Sequence, residues 1–155
     1  MSASHARTAR RPAPEREAPS APRAFTFPVR VYYEDTDAAG VVYYANYLKF
    51  MERARTEWLA ALGFPLAAFE REHGVAFVVH RAEVDFIAPA RLNDSLDVTV
   101  EPAERGASRL VAVQRVLRES ATLTQARITL ACVDTSRWAP TRMPQPLKQA
   151  LETAL

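Results

Sequence analysis

Asn46–Leu62, NYLKFMERARTEWLAAL, is the stretch that decides the fold. At 3.6 residues per turn, Tyr47, Phe50 or Met51, Ala54, Trp58, and Ala61 or Leu62 fall on one face, with Lys49, Glu52, Arg53 and Thr56 largely opposite. The spacing predicts one long amphipathic helix, capped at its start by Asn46 and followed by Gly63 at the C′ position. Pro65 then opens a short second helix, LAAFEREH, which Gly74 closes.

On either side of these helices the period changes to two. Ala24–Tyr33 alternates through Phe25, Phe27, Val29 and Val31, and Pro28 near its start predicts a place at a sheet edge, since proline donates no ladder hydrogen bond. Glu34 ends this strand. Val75–Ala88, Ser95–Glu101, Ser108–Glu119 and Ala121–Asp134 are rich in Val, Ile, Leu and Thr, and turn residues separate them at Asn93-Asp94, Arg105-Gly106 and Glu119-Ser120. Strands joined this closely form an antiparallel meander, and the long helix must bury its apolar face against it. The expected class is α+β.

Composition narrows the function. The 155 residues are 48% hydrophobic and 25% charged, and no apolar run approaches the roughly 20 residues of a membrane span. Residues 1–23 carry five Arg and two Glu, a charge of +3 against +2 for the whole chain, so the remainder is near neutral at −1. That leaves no basic stripe interleaved with aromatics, and nucleic acid is not an expected partner. The same 23 residues contain no aromatic or branched aliphatic side chain and no apolar signal-peptide core, so they read as a disordered tail of a cytoplasmic protein. Pro140–Leu155 reads as irregular with a short terminal helix. One cysteine, Cys132, excludes an internal disulfide and suits a reducing compartment.

Chemistry concentrates just ahead of the long helix, in Tyr33–Tyr47, YEDTDAAGVVYYANY. Asp35-x-Asp37-x-x-Gly40 copies the opening of a calcium loop, but the twelfth position is Asn46 where a bidentate Glu is required. Gly40 is alone, so there is no glycine-rich phosphate cradle, and His5, His73 and His80 all lie outside the motif. What remains is a carboxylate leading into a helix N-terminus, whose unpaired N–H groups suit a developing oxyanion. Such a pair fits acyl-bond cleavage, and a thioester fits better than an amide because a thiolate leaves with little protonation.

The segments VRVYYEDTDAAGVVYYANYLKFMERARTEWL and VAFVVHRAEVDFIAPARLNDSLDV closely resemble the hot-dog acyl-CoA thioesterases of the YbgC type, relatives of the 4-hydroxybenzoyl-CoA thioesterases. The resemblance runs from Phe25 to about Arg142. It implies a hot-dog fold, a five-stranded antiparallel sheet wrapped around one long central helix, over residues 24–142, with 143–155 as a C-terminal segment. It also implies dimers and often tetramers, an acyl-CoA substrate of short-chain or aromatic type, and an association with the Tol-Pal system. The family's catalytic Asp is the second of the pair, here Asp37, as nucleophile or general base, and its oxyanion donor is a backbone N–H near Tyr44. YbgC-type members usually carry His where this chain has Tyr44.

The neighbouring residues take lesser parts. Asp35 holds the turn, and Glu34 faces water. Gly40 meets a backbone need, either positive φ or close approach of the acyl group, with Val41 beside it at the substrate. His80 touches substrate only if a dimer brings its strand opposite Asp37. Coenzyme A brings phosphates, for which Arg81, Arg91, Arg105 and Arg109 are the candidate cations. No metal or redox cofactor is expected, coenzyme A entering as part of the substrate. A hot-dog enoyl-CoA hydratase or dehydratase and a non-catalytic acyl-binding scaffold are the alternative functions.

Overall fold

A computed structural model describes residues 24–154; the tail reading for residues 1–23 falls outside them. In chain order the elements are β1 (Phe25–Arg30), α1 (Tyr44–Ala61), α2 (Leu66–His73), β2 (Val75–Phe86), β3 (Ser95–Arg105), β4 (Arg109–Arg118), β5 (Ala121–Asp134), β6 (Ala139–Pro140) and α3 (Gln145–Ala154). No helix among the described residues is long and apolar enough to cross a membrane.

All strand pairings are antiparallel, in the order β1-β3-β4-β5-β2, with β6 beside β5. Only β3-β4-β5 is a meander, which corrects the simple sequential pairing expected. β2 pairs with β5, because residues 87–94 leave the sheet to brace the loop ahead of α1 through the Val41–Arg91 bridge. β1 takes the place beside β3, and as the outer strand it tolerates Pro28. The sixth strand is two residues long and follows a turn in which Trp138 adopts φ +52°. Asn93 and Glu119, both expected at turns, likewise have positive φ.

The sheet curls over α1. Phe50, Met51, Ala54 and Trp58 of the helix join Val29 of β1, Leu96, Val98 and Val100 of β3, Leu110 and Val116 of β4, and Ile128 of β5 in one core. Each Val, Leu, Ile, Phe or Met among them contributes roughly 1.5–3 kcal/mol on full burial. The core continues into α3, whose Leu147 and Leu151 are fully buried.

Two local readings are corrected at the entrance to α1. β1 stops at Arg30, and Tyr33–Asp35 turns as a short 3-10 helix, so Glu34 lies on that turn, exposed, and does not end a strand. The helix begins at Tyr44, two residues before Asn46. Asn46 is therefore inside the first turn and does not cap it. Its side-chain amide is buried and donates instead to the carbonyl of Asp35, 2.9 Å away, tying the helix to the turn.

Candidate active site

Residues 36–42 form a small hairpin closed by a bridge between Thr36 and Val42. The Asp37 N–H donates to the Val41 carbonyl, and the Gly40 N–H donates back to the Asp37 carbonyl, both at 2.9 Å. Gly40 sits at φ +75° with nothing within 4 Å of where a Cβ would stand. Of the two needs foreseen for it, the described residues show the conformational one. Gly40→Ala is therefore expected to cost about 1–2 kcal/mol in urea unfolding, the penalty of a left-handed non-glycine residue.

The two aspartates have different surroundings. Asp35 is 8% exposed, and its Oδ2 accepts the Tyr32 N–H at 2.8 Å while its carbonyl accepts the Tyr43 N–H at 2.9 Å. Its carboxylate is spent on shaping the turn. Asp37 is exposed; its Oδ1 accepts the Ala39 N–H at 2.8 Å, leaving Oδ2 without a protein partner among the described residues. A carboxylate held at one oxygen and open at the other can meet water or substrate.

At the end of the hairpin, Val42 passes into α1 through Tyr43. The N–H groups of Tyr44 and Ala45 at the helix start have no acceptor among the described residues, as the first turn of any helix leaves its leading donors free. The Tyr44 side chain is 61% exposed, its ring 4.9 Å from that of Tyr43 and edge-on to Phe86 at 6.0 Å. The Tyr43 phenol is held above its ordinary pKa, chiefly by its side-chain interaction with Tyr44 and least by the charge of Asp37. Beside this pair opens an apolar cavity of about 240 Å³ lined by Val42, Tyr44, Tyr47, Phe86, Ile87 and Pro89. Phe86, Ile87 and Pro89 were not foreseen at the site; the sign in the sequence was an apolar strand end running into proline.

A second layer holds this wall. The Tyr47 hydroxyl, buried, accepts the Ala90 N–H at 2.9 Å, and the Val42 N–H donates to the Ala90 carbonyl at the same distance. Burial pushes the Tyr47 phenol up. Asp94 closes the loop by accepting from the Arg91 N–H at 2.9 Å and from the Arg118 guanidinium at 2.8 Å. Burial alone would raise the Asp94 pKa, but these donors outweigh it and hold the carboxyl below the usual carboxylate range. A depressed folded-state value contributes stability above the unfolded value and loses it as pH falls through the folded one. Asp94→Asn should accordingly flatten the stability loss below about pH 4 in acid titration followed by circular dichroism.

The hairpin brings Asp37, Gly40 and Val41 together, and Tyr44 follows it as the first residue of α1. His80 is elsewhere: it is the exposed bulge residue between Val79 and Arg81 in β2, six positions or about 20 Å of strand from Phe86. Among the arginines, Arg91 stands on the bridge to Val41, whereas Arg81 is paired with Glu83 at 2.9 Å and Arg105 with Glu152 at 2.6 Å.

The model of the thioesterase-like superfamily matches residues 31–151. The acyl-CoA thioesterase YbgC of Haemophilus influenzae is 44% identical over 126 residues, 81% of this chain and 93% of that protein. The 1,4-dihydroxy-2-naphthoyl-CoA hydrolase of Nostoc punctiforme is 33% identical over 130 residues, 84% of this chain and 88% of that one. Among solved structures, a probable thioesterase from Bartonella henselae superposes with a TM-score of 0.73 at 33% identity, covering 79% of this chain and all of its own.

Proposed function

Since this chain belongs to the thioesterase-like superfamily, we propose that it is an acyl-CoA thioester hydrolase in which Asp37 and the backbone N–H of Tyr44 carry the reaction. The observation that carries the reading is the juxtaposition of a carboxylate having one free oxygen with a helix start whose N–H groups are unpaired. The thioester carbonyl enters beside the helix start, where the N–H donors stabilise the negative oxygen as its carbon becomes tetrahedral. In one course Asp37 takes a proton from water, the hydroxide adds to the carbonyl, and collapse expels the coenzyme A thiolate. In the other, Asp37 adds directly to the carbonyl, the tetrahedral adduct expels the thiolate to leave an Asp37 mixed anhydride, and water cleaves that anhydride to release the acid. Neither course draws on a metal or redox cofactor.

The 240 Å³ cavity has an aromatic wall and accepts the acyl group, which favours short or aromatic acyl chains. Arg91 is the cation we assign to a coenzyme A phosphate, since its backbone adjoins Val41 of the hairpin. The chain works in the cytoplasm as a homodimer or a dimer of dimers. β2 is paired on one side only and is exposed through its middle, which leaves its free edge to a second copy and gives His80 its route to substrate. The Tol-Pal association remains part of the proposal through the resemblance to YbgC alone.

Hydrolysis measured across short aliphatic, long aliphatic and aromatic acyl-CoA esters tests this. Thiol release is expected, with kcat/KM for short and aromatic esters above that for long ones. Enoyl-CoA hydration without thiol release would instead make the protein a hydratase. Acyl-CoA binding with no turnover would make it a scaffold.

A further inference from the structure

Asn46 is the one carboxamide on the buried face of α1, one turn ahead of Phe50. A buried amide is unfavourable unless its hydrogen-bonding groups are paired, and asparagine is among the weaker helix formers, so its place there calls for a partner. That partner lies outside the helix. The Asn46 Nδ2 donates to the Asp35 carbonyl at 2.9 Å, eleven positions back along the chain, while its backbone N–H donates to the Tyr43 carbonyl at 2.8 Å.

The two arms of the 36–42 hairpin are held differently. The arm leading into α1 is braced from outside, by the Val42 N–H donating to the Ala90 carbonyl at 2.9 Å and by the bridge from Val41 to Arg91. The arm that carries Asp37 has no such brace. The bonds from the Asp37 N–H to the Val41 carbonyl and from the Tyr43 N–H to the Asp35 carbonyl, both at 2.9 Å, are rungs of the hairpin itself. The Thr36 hydroxyl reaches back to the Tyr33 carbonyl and the Asp35 carboxylate to the Tyr32 N–H, each at 2.8 Å. Among the described residues, the Asn46 amide makes the one hydrogen bond from this arm to a residue within α1. Asp35 stands two residues before Asp37, and Asn46 two residues after Tyr44, so this bond closes a frame between the proposed carboxylate and the proposed oxyanion donor.

We propose that Asn46 is a positioning residue for thioester hydrolysis, its side-chain amide fixing the Asp37 arm against the helix start that presents the Tyr44 N–H. The inference rests on the hydrolase reading above and deepens it. The carboxylate, or the water it activates, must converge with the oxyanion donor on one carbonyl group, and a misplacement of about 1 Å in such an alignment lowers the rate about a hundredfold. With the amide removed, the Asp35 carbonyl still accepts the Tyr43 N–H and is not orphaned. The hairpin therefore persists, at a looser angle to the helix.

Asn46→Leu keeps the size of the side chain and removes the donor. It is expected to lower kcat for acyl-CoA hydrolysis by about ten- to a hundredfold and to leave KM within about threefold. In an Asp37→Asn background the same substitution should change the residual rate by less than about threefold, because the group it aligns is already gone; a merely structural loss would lower both backgrounds alike. Hydrogen exchange needs no turnover: the Asp37, Gly40 and Tyr43 N–H groups should exchange about tenfold faster in Asn46→Leu, with β3 and β4 unchanged. Asn46→Ala, smaller and a stronger helix former, carries the same expectations and covers the case in which leucine is not accommodated. Parent-like kcat, parent-like hairpin exchange, or an equal rate loss in both backgrounds would overturn the proposal. Near-parent turnover in Asp37→Asn would overturn the catalytic assignment and this one with it, whereas loss of turnover there beside parent-like kcat in the Asn46 variants overturns this one alone.

Discussion

Asp37→Asn is expected to lower kcat for acyl-CoA hydrolysis by about a hundred- to ten-thousand-fold, the span associated with a positioned acid–base group. The substitution separates chemistry from folding because of how the residue is held. The Asp37 Oδ1 accepts the Ala39 N–H, and an asparagine carbonyl oxygen accepts that bond equally well, so the hairpin keeps its shape. What disappears is the negative charge and the free oxygen that attacks or takes the proton. The check is steady-state hydrolysis beside a thermal melt, and near-normal turnover in a folded variant would remove Asp37 from the mechanism. One turnover of the parent chain in oxygen-18 water then distinguishes the two courses. Label on Asp37 marks the anhydride; with label in the acid alone, a trapped acyl-Asp37 marks the anhydride and its absence marks direct water attack.

Leu147→Ala is expected to destabilise the protein by about 2–5 kcal/mol in urea unfolding, the range for emptying a leucine-sized site in a packed core. Leu147 is fully buried, and the segment around it is tied down by the Met143 N–H donating to the Ala107 carbonyl at 2.8 Å and by the Arg105–Glu152 ion pair. The exposed ion pair adds little, so the apolar contact bears the stability. A change below about 1 kcal/mol, the size of a surface substitution, would show α3 to be an accessory to the core. The motif-based resemblance stops near Arg142, while the core and the family match both continue, the latter to residue 151. A short amphipathic segment with few apolar residues carries too weak a periodic signal to be placed on a core from its spacing.

Legibility in the sequence followed the strength of the local signal. The long helix, the short one closed by Gly74 and β5 were readable because each repeats its period or ends on a residue suited to one backbone conformation. Asn46 was misread because its cap-like chemistry matches two uses, and only the position of Asp35 in space selects the inward one. Arg55 was missed because a single arginine at a helical spacing looks like any surface cation until Gln114 is brought beneath it from β4. Strand order was equally beyond reach: the pairing of β2 with β5 depends on a loop that leaves the sheet.

The sequence by itself determined the class of fold, the central helix, and the motif in which Asp37 precedes a helix start, since periodicity and backbone chemistry act over a few residues. Tertiary structure alone decided that Phe86 and Pro89 wall the cavity beside Tyr44, that α3 belongs to the core, and that the Arg55 guanidinium is buried against Gln114. Those contacts join positions tens of residues apart, and their energy comes from burial and hydrogen bonding that exist only once the sheet has closed over α1.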